Sequence, residues 1–392
     1  MDEDDLGPVP EVDGGPALTD WLTRMRAEHP VWEEQTGIVH VFRYSDVQSV
    51  ISDPDRFSND ASRVVPVLEP LTRGHINSTD PPLHAKLRKL VAQAFSPRTV
   101  SRLEPRIRAI VDELLEHASG DRIDLVDTLS YPLPVMVIAE LLGVPAGDRE
   151  LFRKWADGLL NLEVDYADPD LYDRIDEQTR EMNDYLRAHC RDRRRRPRED
   201  LITQLTLAQL DGERLTDEEI VKFSNTVLMV GHITTTLLVG NTITCLSEHQ
   251  EIQHEVRADR GLIPATINEV LRYRSPFTTV SRVSTAEVEI AGTVVPANRM
   301  ISPWIISANH DERQFTDPQR FDIHRTEGRP IAFGHGIHYC LGAALAGTEA
   351  RIALDALLDR YAEIGIDTGG PIRYHQRGMY GAQNLPLLVR PA

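Results

Sequence analysis

The longest helical pattern in the chain begins at Thr216 and extends to about Glu248. Its first residues, Thr216-Asp-Glu-Glu219, form a capping box, in which the threonine caps the helix and the glutamate reaches back to it. Apolar residues then recur with helical spacing at Ile220, Phe223, Val227, Val230 and Leu237. At ~1.5 Å per residue this helix would be roughly 48 Å long, which is enough to cross the whole molecule.

The middle of this helix has an unfavourable sequence for a helix interior. It reads Val230-Gly-His-Ile-Thr-Thr-Thr236, and a glycine costs about 1 kcal/mol there. One interpretation is functional: Gly231 lets a bulky ligand lie against the backbone, and a threonine hydroxyl bonded one turn back opens a polar notch. The other interpretation is a helix–helix crossing built on small residues. These residues alone leave both open.

Helical patterns dominate the rest of the chain. Helices are predicted over residues 20–28, 45–51, 79–95, 96–118, 132–142, 148–162 and 171–193. Alternating patterns predict a hairpin over 31–44, a small sheet over 280–301 and a turn and strand over 377–390, whereas residues 56–77 predict a long loop. The fold class is therefore mainly α with small β-sheets, and residues 1–392 are predicted to form a single domain.

Charge and cysteine content exclude several classes of protein. The 392 residues contain 43 Lys and Arg against 61 Asp and Glu, and a net charge of −18 makes general nucleic-acid binding a poor fit. Three widely spaced cysteines, Cys190, Cys245 and Cys340, cannot form a disulfide framework or a four-cysteine zinc site. The N-terminus lacks signal-peptide features and no uninterrupted apolar run reaches the length of a bilayer. We therefore expect a cytoplasmic protein without a membrane segment.

The segment with the clearest chemical meaning is Phe333-Gly-His-Gly-Ile-His-Tyr-Cys340-Leu-Gly342. One thiol lies in a glycine-spaced loop that leads directly into an apolar, alanine-rich helical stretch. A helix N-terminus favours the thiolate, so a lowered pKa is expected for Cys340. Gly334 and Gly336 let the backbone turn sharply and approach something flat and large. Such a thiolate could be a nucleophile or a metal ligand.

This segment matches at every fixed position the pattern F-G-x-G-x-H-x-C-x-G, and the chain resembles the bacterial cytochrome P-450 haem-thiolate monooxygenases over nearly its full length. Three further motifs come in the family order: Asp80-Pro-Pro-Leu-His84-Ala-Lys-Leu-Arg88, Glu269-Val-Leu-Arg272, and Arg282, ten residues beyond Arg272 in a predicted strand. The central helix resembles the family's oxygen-binding helix at Gly231, Thr234 and Thr235, but not at Val230 and Ile233. The resemblance implies the single-domain fold of that family. Its haem b lies between the central helix and the cysteine loop with the helix that follows.

The resemblance also assigns roles to individual residues. Cys340 is the implied iron ligand, Phe333 is expected to shield its sulfur, and Gly231 is expected to face the haem. The implied donors to the haem propionates are His84, Arg88, Arg282 and His338. Thr234 is the implied catalytic hydroxyl. A structural network of Glu269 and Arg272 is completed, by the same resemblance, by Arg320.

The clearest departure from the family lies at Ile233, because the family usually has an acid there that passes protons to the reacting oxygen. Protons would then come from ordered water over the Gly231 notch, from a polar group of the substrate, or, ranked last, from His232. Substrate contacts are expected from Val230, Phe277, Thr278, Val280, Met379 and Tyr380, together with residues 60–77 and 159–164. These positions are mostly apolar, which favours an apolar pocket with a few polar groups. The short side chains of Thr278, Thr279 and Gly378 indicate a roomy pocket, and therefore a bulky, natural-product-like substrate.

The resemblance implies oxygen insertion, with electrons from a separate ferredoxin and ferredoxin reductase, because the sequence shows no flavin or iron–sulfur segment. Lys86, Lys89 and Arg98 are candidates for the docking face, and a monomer is expected. Three alternatives remain: another P-450-type oxidation such as desaturation, coupling or peroxide-driven chemistry; a non-catalytic haem sensor or carrier; and a cysteine hydrolase using Cys340 with His338.

Overall fold

The computed structural model describes residues 10–11, 15–72, 74–160, 170–210, 212–375 and 378–392. Its α-helices are α1 Pro16–Glu28, α2 Tyr44–Ser52, α3 Glu69–Thr72, α4 Leu83–Val91, α5 Pro97–Glu116, α6 Pro132–Leu142, α7 Arg149–Leu160, α8 Leu171–Arg195, α9 Leu201–Leu207, α10 Asp217–Glu248, α11 Gln250–Ala258, α12 Ile263–Tyr273, α13 Ile305–Ala308 and α14 Ala343–Arg360. The strands are β1 Val31–Glu33, β2 Val39–Val41, β3 Phe57–Ser58, β4 Arg122–Asp124, β5 Gln209–Leu210, β6 Glu213–Arg214, β7 Arg282–Ser284, β8 Val288–Ile290, β9 Thr293–Val295, β10 Met300–Pro303, β11 Tyr361–Ile366 and β12 Pro386–Pro391. The prediction of a mainly helical chain with small sheets is confirmed.

The central helix α10 has the predicted start and length. Both halves of the capping box are formed, because the Thr216 hydroxyl accepts from the Glu219 amide and the Glu219 carboxylate accepts from the Thr216 amide. The helix passes through the protein core, with α6, α8 and α14 packed around it. In length and hydropathy it could also cross a membrane, but 72% of its most apolar window is buried inside the protein. It is therefore a core helix.

The alternating residues 280–301 do not form one local sheet. β8 and β9 form a hairpin, whereas β10 pairs in parallel with β2 of the N-terminal hairpin and antiparallel with β7. The result is a five-stranded sheet in the order β1-β2-β10-β7-β3. The long-range pairing brings Arg282, at the start of β7, close to the C-terminal end of α2.

The arginine run at the end of α8 is a structural junction and only in part a solvated helix cap. Arg193 is 1% exposed, its Nε lies 2.5 Å from Asp200 Oδ2, and its Nη2 donates to the Gly143 carbonyl. Asp200 in turn caps α9 by accepting from the Thr203 amide. Arg195 and Arg196, which follow Arg193, are exposed and form the solvated part of this helix end.

One apolar cluster extends in sequence from Ile76 to Val389 and joins the helical elements around α10 and α14. A smaller cluster lies under the five-stranded sheet, and a third connects α1 to Phe42, Trp304 and Tyr380. The single-domain organisation stays a prediction, and the large shared cluster is consistent with it. Because α10 and α14 pack against each other, the residues before α14 lie near the middle of the molecule.

Candidate active site

The loop before α14 brings Cys340 to the N-terminus of that helix. The Cys340 amide donates to the Phe333 carbonyl at 2.8 Å, which closes the loop. Gly334 and Gly336 have φ values of +74° and +71°, a conformation that favours glycine. The expected close approach of the backbone is seen at Gly336, but its partner is another part of the protein. A Cβ on Gly336 would lie 3.0 Å from the Ser52 Cα.

The expected low pKa of Cys340 is contradicted. Burial raises the pKa of the thiol above its ordinary value, and the Gly342 and Ala343 amides, together with the charge of Arg88, only partly oppose this. A thiol in such surroundings becomes a thiolate when a metal ion binds it. The described residues also show no hydrogen bond between Cys340 and His338. Both observations favour the ligand interpretation over the cysteine hydrolase.

Four basic side chains from three separate segments converge beside this loop. His84 lies on α4 with its ring centroid 4.1 Å from that of His338. Arg88, one turn further along α4, donates to the Tyr339 carbonyl at 2.6 Å, and Arg282 lies close enough to His338 for its charge to act on that ring. The predicted grouping of His84, Arg88, Arg282 and His338 is therefore present in the structure.

The electrostatics of this basic cluster favour an anionic ligand. Burial together with the neighbouring His84, Arg282 and Arg88 lowers the pKa of His338 to about 3, and burial lowers the pKa of Arg282 to about 10. Within the described residues, neither arginine forms an ion pair with a carboxylate. The buried Nε2 atoms of His84 and His338 have no hydrogen-bond partner there either. A ligand with carboxylate groups would satisfy these groups.

The buried ion pair on α12 forms as predicted, but its second arginine is different. Arg272 donates from Nε and Nη2 to both Glu269 oxygens, at 2.9 and 2.7 Å. The side chain of Arg320 is exposed, and only its carbonyl takes part, as an acceptor from Arg272. Arg325 Nε lies 3.5 Å from Glu269 Oε1 instead. The exposed turn at residues 317–320 directs the Arg320 side chain to solvent, so the assignment of Arg320 was wrong.

The threonine run on α10 makes the hydrogen bonds expected of a notch. Thr234, Thr235 and Thr236 each donate to the carbonyl four residues earlier, at 2.8, 3.0 and 3.0 Å. Thr235 and Thr236 are buried, whereas Thr234 is half-buried. Because its only hydroxyl hydrogen is donated to the Val230 carbonyl, Thr234 can accept a further hydrogen bond in this conformation.

The residues beside Thr234 face other helices. A Cβ on Gly231 would lie 3.0 Å from Ile138 Cδ1, so the missing side chain makes room for α6. This supports the helix-crossing interpretation over direct contact between a ligand and that face of Gly231. His232 is 1% exposed, donates from Nδ1 to the Leu228 carbonyl at 2.8 Å, and packs edge-to-face on Tyr131. Since a carbonyl only accepts, Nδ1 carries a proton.

Two irregular segments, around Phe277 and around Met379, meet where substrate contacts were predicted. Phe277 and Met379 form an antiparallel bridge, and both side chains are half-buried, as are Val230 and Val280. Thr278 is 1% exposed.

Tyr380 is likewise part of the protein interior. It is 4% exposed, packs with α1, and has the Arg274 guanidinium 5.5 Å from its ring centroid. Asn241 on α10 donates to the carbonyls of both Arg274 and Tyr380, at 2.9 and 2.8 Å. The burial of both side chains within the protein disfavours Thr278 and Tyr380 as substrate contacts. Residues 161–164 of the predicted contact region lie outside the described residues.

Comparison with known proteins shows the family. The sequence model described as "Cytochrome P450" matches residues 29–367. The chain belongs to the cytochrome P450 family. This match confirms the resemblance to the family that the sequence motifs indicated, and with it the predicted fold class.

Several relatives of this cytochrome P450 match it over almost its entire length. The erythromycin C-12 hydroxylase of Saccharopolyspora erythraea is 44% identical over 385 residues, covering 97% of this chain and 96% of the relative. The cyclomarin C epoxidase CymV of Salinispora arenicola is 45% identical over 391 residues, covering 98% of each. The open structure of cytochrome P450 Eryk from S. erythraea superimposes with a TM-score of 0.93 at 44% identity, covering 98% of this chain and 99% of that one.

Cytochromes P450 are haem-thiolate monooxygenases, so this chain is an oxidoreductase with haem b as its cofactor. The residues present fit that group. The Cys340 loop offers a sulfur with two amides directed at it, and the basic cluster offers unpartnered donors for carboxylates. The non-catalytic sensor or carrier is disfavoured, because both curated relatives described above are named as enzymes.

Two contributions to the site were missed from the sequence. Ser52, at the end of α2, lies 2.9 Å from His335 Nδ1 in the Cys340 loop. Arg325 supplies the contact to Glu269 that was assigned to Arg320. Neither has a local sequence signal, because a lone serine at a helix end and a second arginine in an irregular segment occur in many proteins. Only the three-dimensional pairing of distant segments reveals them.

Proposed function

We propose that this cytochrome P450 inserts one oxygen atom of dioxygen into a bulky, mainly apolar microbial natural product, by hydroxylation or epoxidation. The observation that carries the proposal is the near full-length similarity to a hydroxylase named for erythromycin and an epoxidase named for cyclomarin C. The half-buried apolar side chains of Val230, Phe277, Val280 and Met379 support an apolar substrate.

Cys340 is the proposed ligand of the haem iron. The bound haem would supply the oxygen-activating chemistry, with the thiolate donating electron density to it. The Gly342 and Ala343 amides stabilise negative charge on the sulfur. Phe333 is half-buried beside Tyr339, with ring centroids 6.4 Å apart, and we propose that it shields the thiolate from water. His84, Arg88, Arg282 and His338 are the proposed partners of the propionates.

Thr234 is the proposed catalytic residue on the opposite side. Its hydroxyl is fixed by the Val230 carbonyl and can accept a hydrogen bond from a water molecule or a substrate hydroxyl, holding that proton donor in place. Ile233 is 6% exposed and cannot donate a proton. His232 packs towards Tyr131, and burial lowers its pKa, so it is neutral and is a poor proton source. We therefore propose that proton delivery relies on ordered water and on a polar group of the substrate.

Substrate assistance is tested with analogues of an accepted substrate. Candidate metabolites are first titrated while the iron spin state is monitored. The bound substrate is then compared with an analogue that lacks one hydroxyl or carboxyl group. Loss of product per electron consumed, with binding retained, supports substrate assistance. Full coupling of every such analogue contradicts it.

The reaction type is tested by product analysis under labelled dioxygen. One labelled oxygen atom in the product supports hydroxylation or epoxidation. An oxidised product without label contradicts oxygen insertion and favours the second candidate, desaturation or coupling. The observation that favours this candidate is Ile233, which stands where the family usually has a proton-donating acid. Product formation with peroxide in place of electron donors would indicate the peroxide-driven reaction.

Electrons are proposed to come from a ferredoxin and its reductase, acting on a cytoplasmic monomer. Lys89 and Arg98 are exposed, whereas Lys86 is held in an ion pair by Glu213. Reversing the charge of Lys89 and Arg98 should slow reduction at low salt without changing substrate affinity, because exposed charges act mainly on the association rate. The matched control is Arg196→Glu, an exposed reversal at the end of α8. If reduction of the Arg196→Glu control slows equally, Lys89 and Arg98 do not form a specific docking face.

A further inference from the structure

The C-terminal turn of α2 contacts both the Cys340 loop and a member of the basic cluster. A Cβ on Gly336 would lie 3.0 Å from the Ser52 Cα and 3.6 Å from the Ile51 carbonyl oxygen, so the loop backbone lies directly on this turn. Arg282 Nη2 reaches the same Ile51 carbonyl at 3.5 Å. One helix end therefore forms a shared support for the proposed thiolate loop and for a proposed propionate donor.

The hydrogen bonds of Ser52 have only one consistent direction. The Ser52 hydroxyl donates to the Gln48 carbonyl at 2.5 Å, since a carbonyl can only accept. With its single hydrogen used there, the hydroxyl oxygen must accept from His335 Nδ1 at 2.9 Å. His335 therefore carries a proton on Nδ1 and is oriented by Ser52. A chain of two hydrogen bonds joins the α2 backbone to the segment five residues before Cys340.

We propose that Ser52 is a positioning residue for the haem thiolate. Through His335 it holds the Cys340 loop against the end of α2, and so fixes the loop relative to Arg282. Without the hydroxyl, His335 loses its acceptor and the loop is held there by packing alone. The sulfur would then leave the iron, or take up a proton, more readily. The inference rests on the proposed ligation by Cys340.

The test uses the haem-loaded protein and two measurements that do not depend on turnover. The first is the absorption band of the reduced carbon monoxide complex, which distinguishes thiolate from thiol ligation. The second is the rate of haem transfer to excess apomyoglobin. For Ser52→Ala we expect a larger thiol-type fraction and haem transfer about 5- to 30-fold faster, as for the loss of one or two kcal/mol. Ser52→Thr, which keeps the hydroxyl, should restore both.

Two further variants separate this role from general destabilisation. Ser49→Ala makes the same change at an exposed position of α2 and should leave both measurements unchanged. His335→Ala should resemble Ser52→Ala, and the double variant should be no worse than either alone, because both remove one interaction. Full additivity, or a Ser52→Ala protein that matches Ser49→Ala, overturns the proposal. If the unaltered protein lacks the thiolate-type band, the ligation by Cys340 fails instead.

Discussion

The two sides of the proposed haem site are built in different ways. On the thiolate side, side chains from distant segments bind each other or backbone carbonyls of another segment, as in Ser52 with His335 and Arg88 with Tyr339. On the α10 side, the threonine hydroxyls bond back to carbonyls of their own helix, and Ile233 adds no polar group. The first side is fixed by long-range contacts. On the second side, the Thr234 hydroxyl oxygen can still accept a hydrogen bond from water or substrate.

The largest effect is expected from removing the sulfur. Cys340→Ala should abolish product formation and the thiolate-type band of the reduced carbon monoxide complex, because the other described cysteines, Cys190 and Cys245, are fully buried on other helices. The measurement is the absorption spectrum beside a turnover assay. Cys190→Ala serves as the control and should keep the band. A band that persists in Cys340→Ala would exclude this residue as the ligand.

The next effect concerns the support behind the thiolate side. Arg272 donates to the Asn309 carbonyl, and the Asn309 side chain accepts from the Ile331 amide just before the Cys340 loop. Arg272→Ala leaves Glu269 buried without its main partner and should lower the free energy of unfolding by about 3–5 kcal/mol, measured by denaturant titration.

Arg320→Ala is the matched control for this variant. Its side chain is exposed, so the free energy of unfolding should change by no more than about 0.5 kcal/mol. A loss of stability as large as that of Arg272→Ala would show that Arg320 does belong to the buried network. The loss of unfolding free energy in Arg325→Ala should lie between these two values, because the contact of Arg325 with Glu269 is long, at 3.5 Å, and therefore weaker.

A smaller and more selective effect is expected on the α10 side. Thr234→Val removes the proposed acceptor for the proton donor, and should lower product formed per electron consumed about tenfold or more, while substrate binding is retained. Coupling is measured as product against NAD(P)H and dioxygen used. Thr242→Val is the control, since Thr242 makes the same bond one helical turn back, to Leu238 at 2.7 Å, but is 1% exposed. Equal losses in both variants would argue for a helix defect.

The smallest effect is expected at the position that departs from the family. Ile233→Glu should improve coupling or leave it unchanged, because a carboxyl group would be placed beside Thr234. Ile233→Gln has nearly the same shape without the ionisable group and controls for lost apolar packing. A clear loss of coupling in the glutamate variant, with normal coupling in the glutamine variant, would contradict a proton shortage on this side.

Much of the fold was predictable because its signals are local. The capping box at Thr216, the proline that starts α6 and the serine that caps α5 fixed helix ends close to their observed positions. The partners of β7 and β10 were not predictable, since alternation identifies a strand but not which distant strand it pairs with. The short elements β4 and α9 carry too few residues for a periodic signal.

The site shows the same division. Cys340 and the basic cluster could be proposed from the sequence because the motifs specify them residue by residue, and the structure places these side chains near one another. The burial of Thr278 and Tyr380 and the exposure of Arg320 could not be predicted, because the direction of a side chain depends on how irregular chain packs. The pKa of Cys340 was misjudged because burial, which exceeds the helix-terminus effect here, cannot be read from the sequence.

The double hydrogen bond of Asn241 matters for how this enzyme could be altered. A single amide attaches the chain on both flanks of the Phe277–Met379 bridge to the central helix. The backbone there is held by main-chain carbonyls, which every residue type possesses. Phe277 and Met379 can therefore be exchanged for other side chains while the course of the chain is kept. Because Phe277 and Met379 are proposed substrate contacts, this arrangement makes the pair a natural starting point for libraries aimed at new substrates, with Asn241 left unchanged.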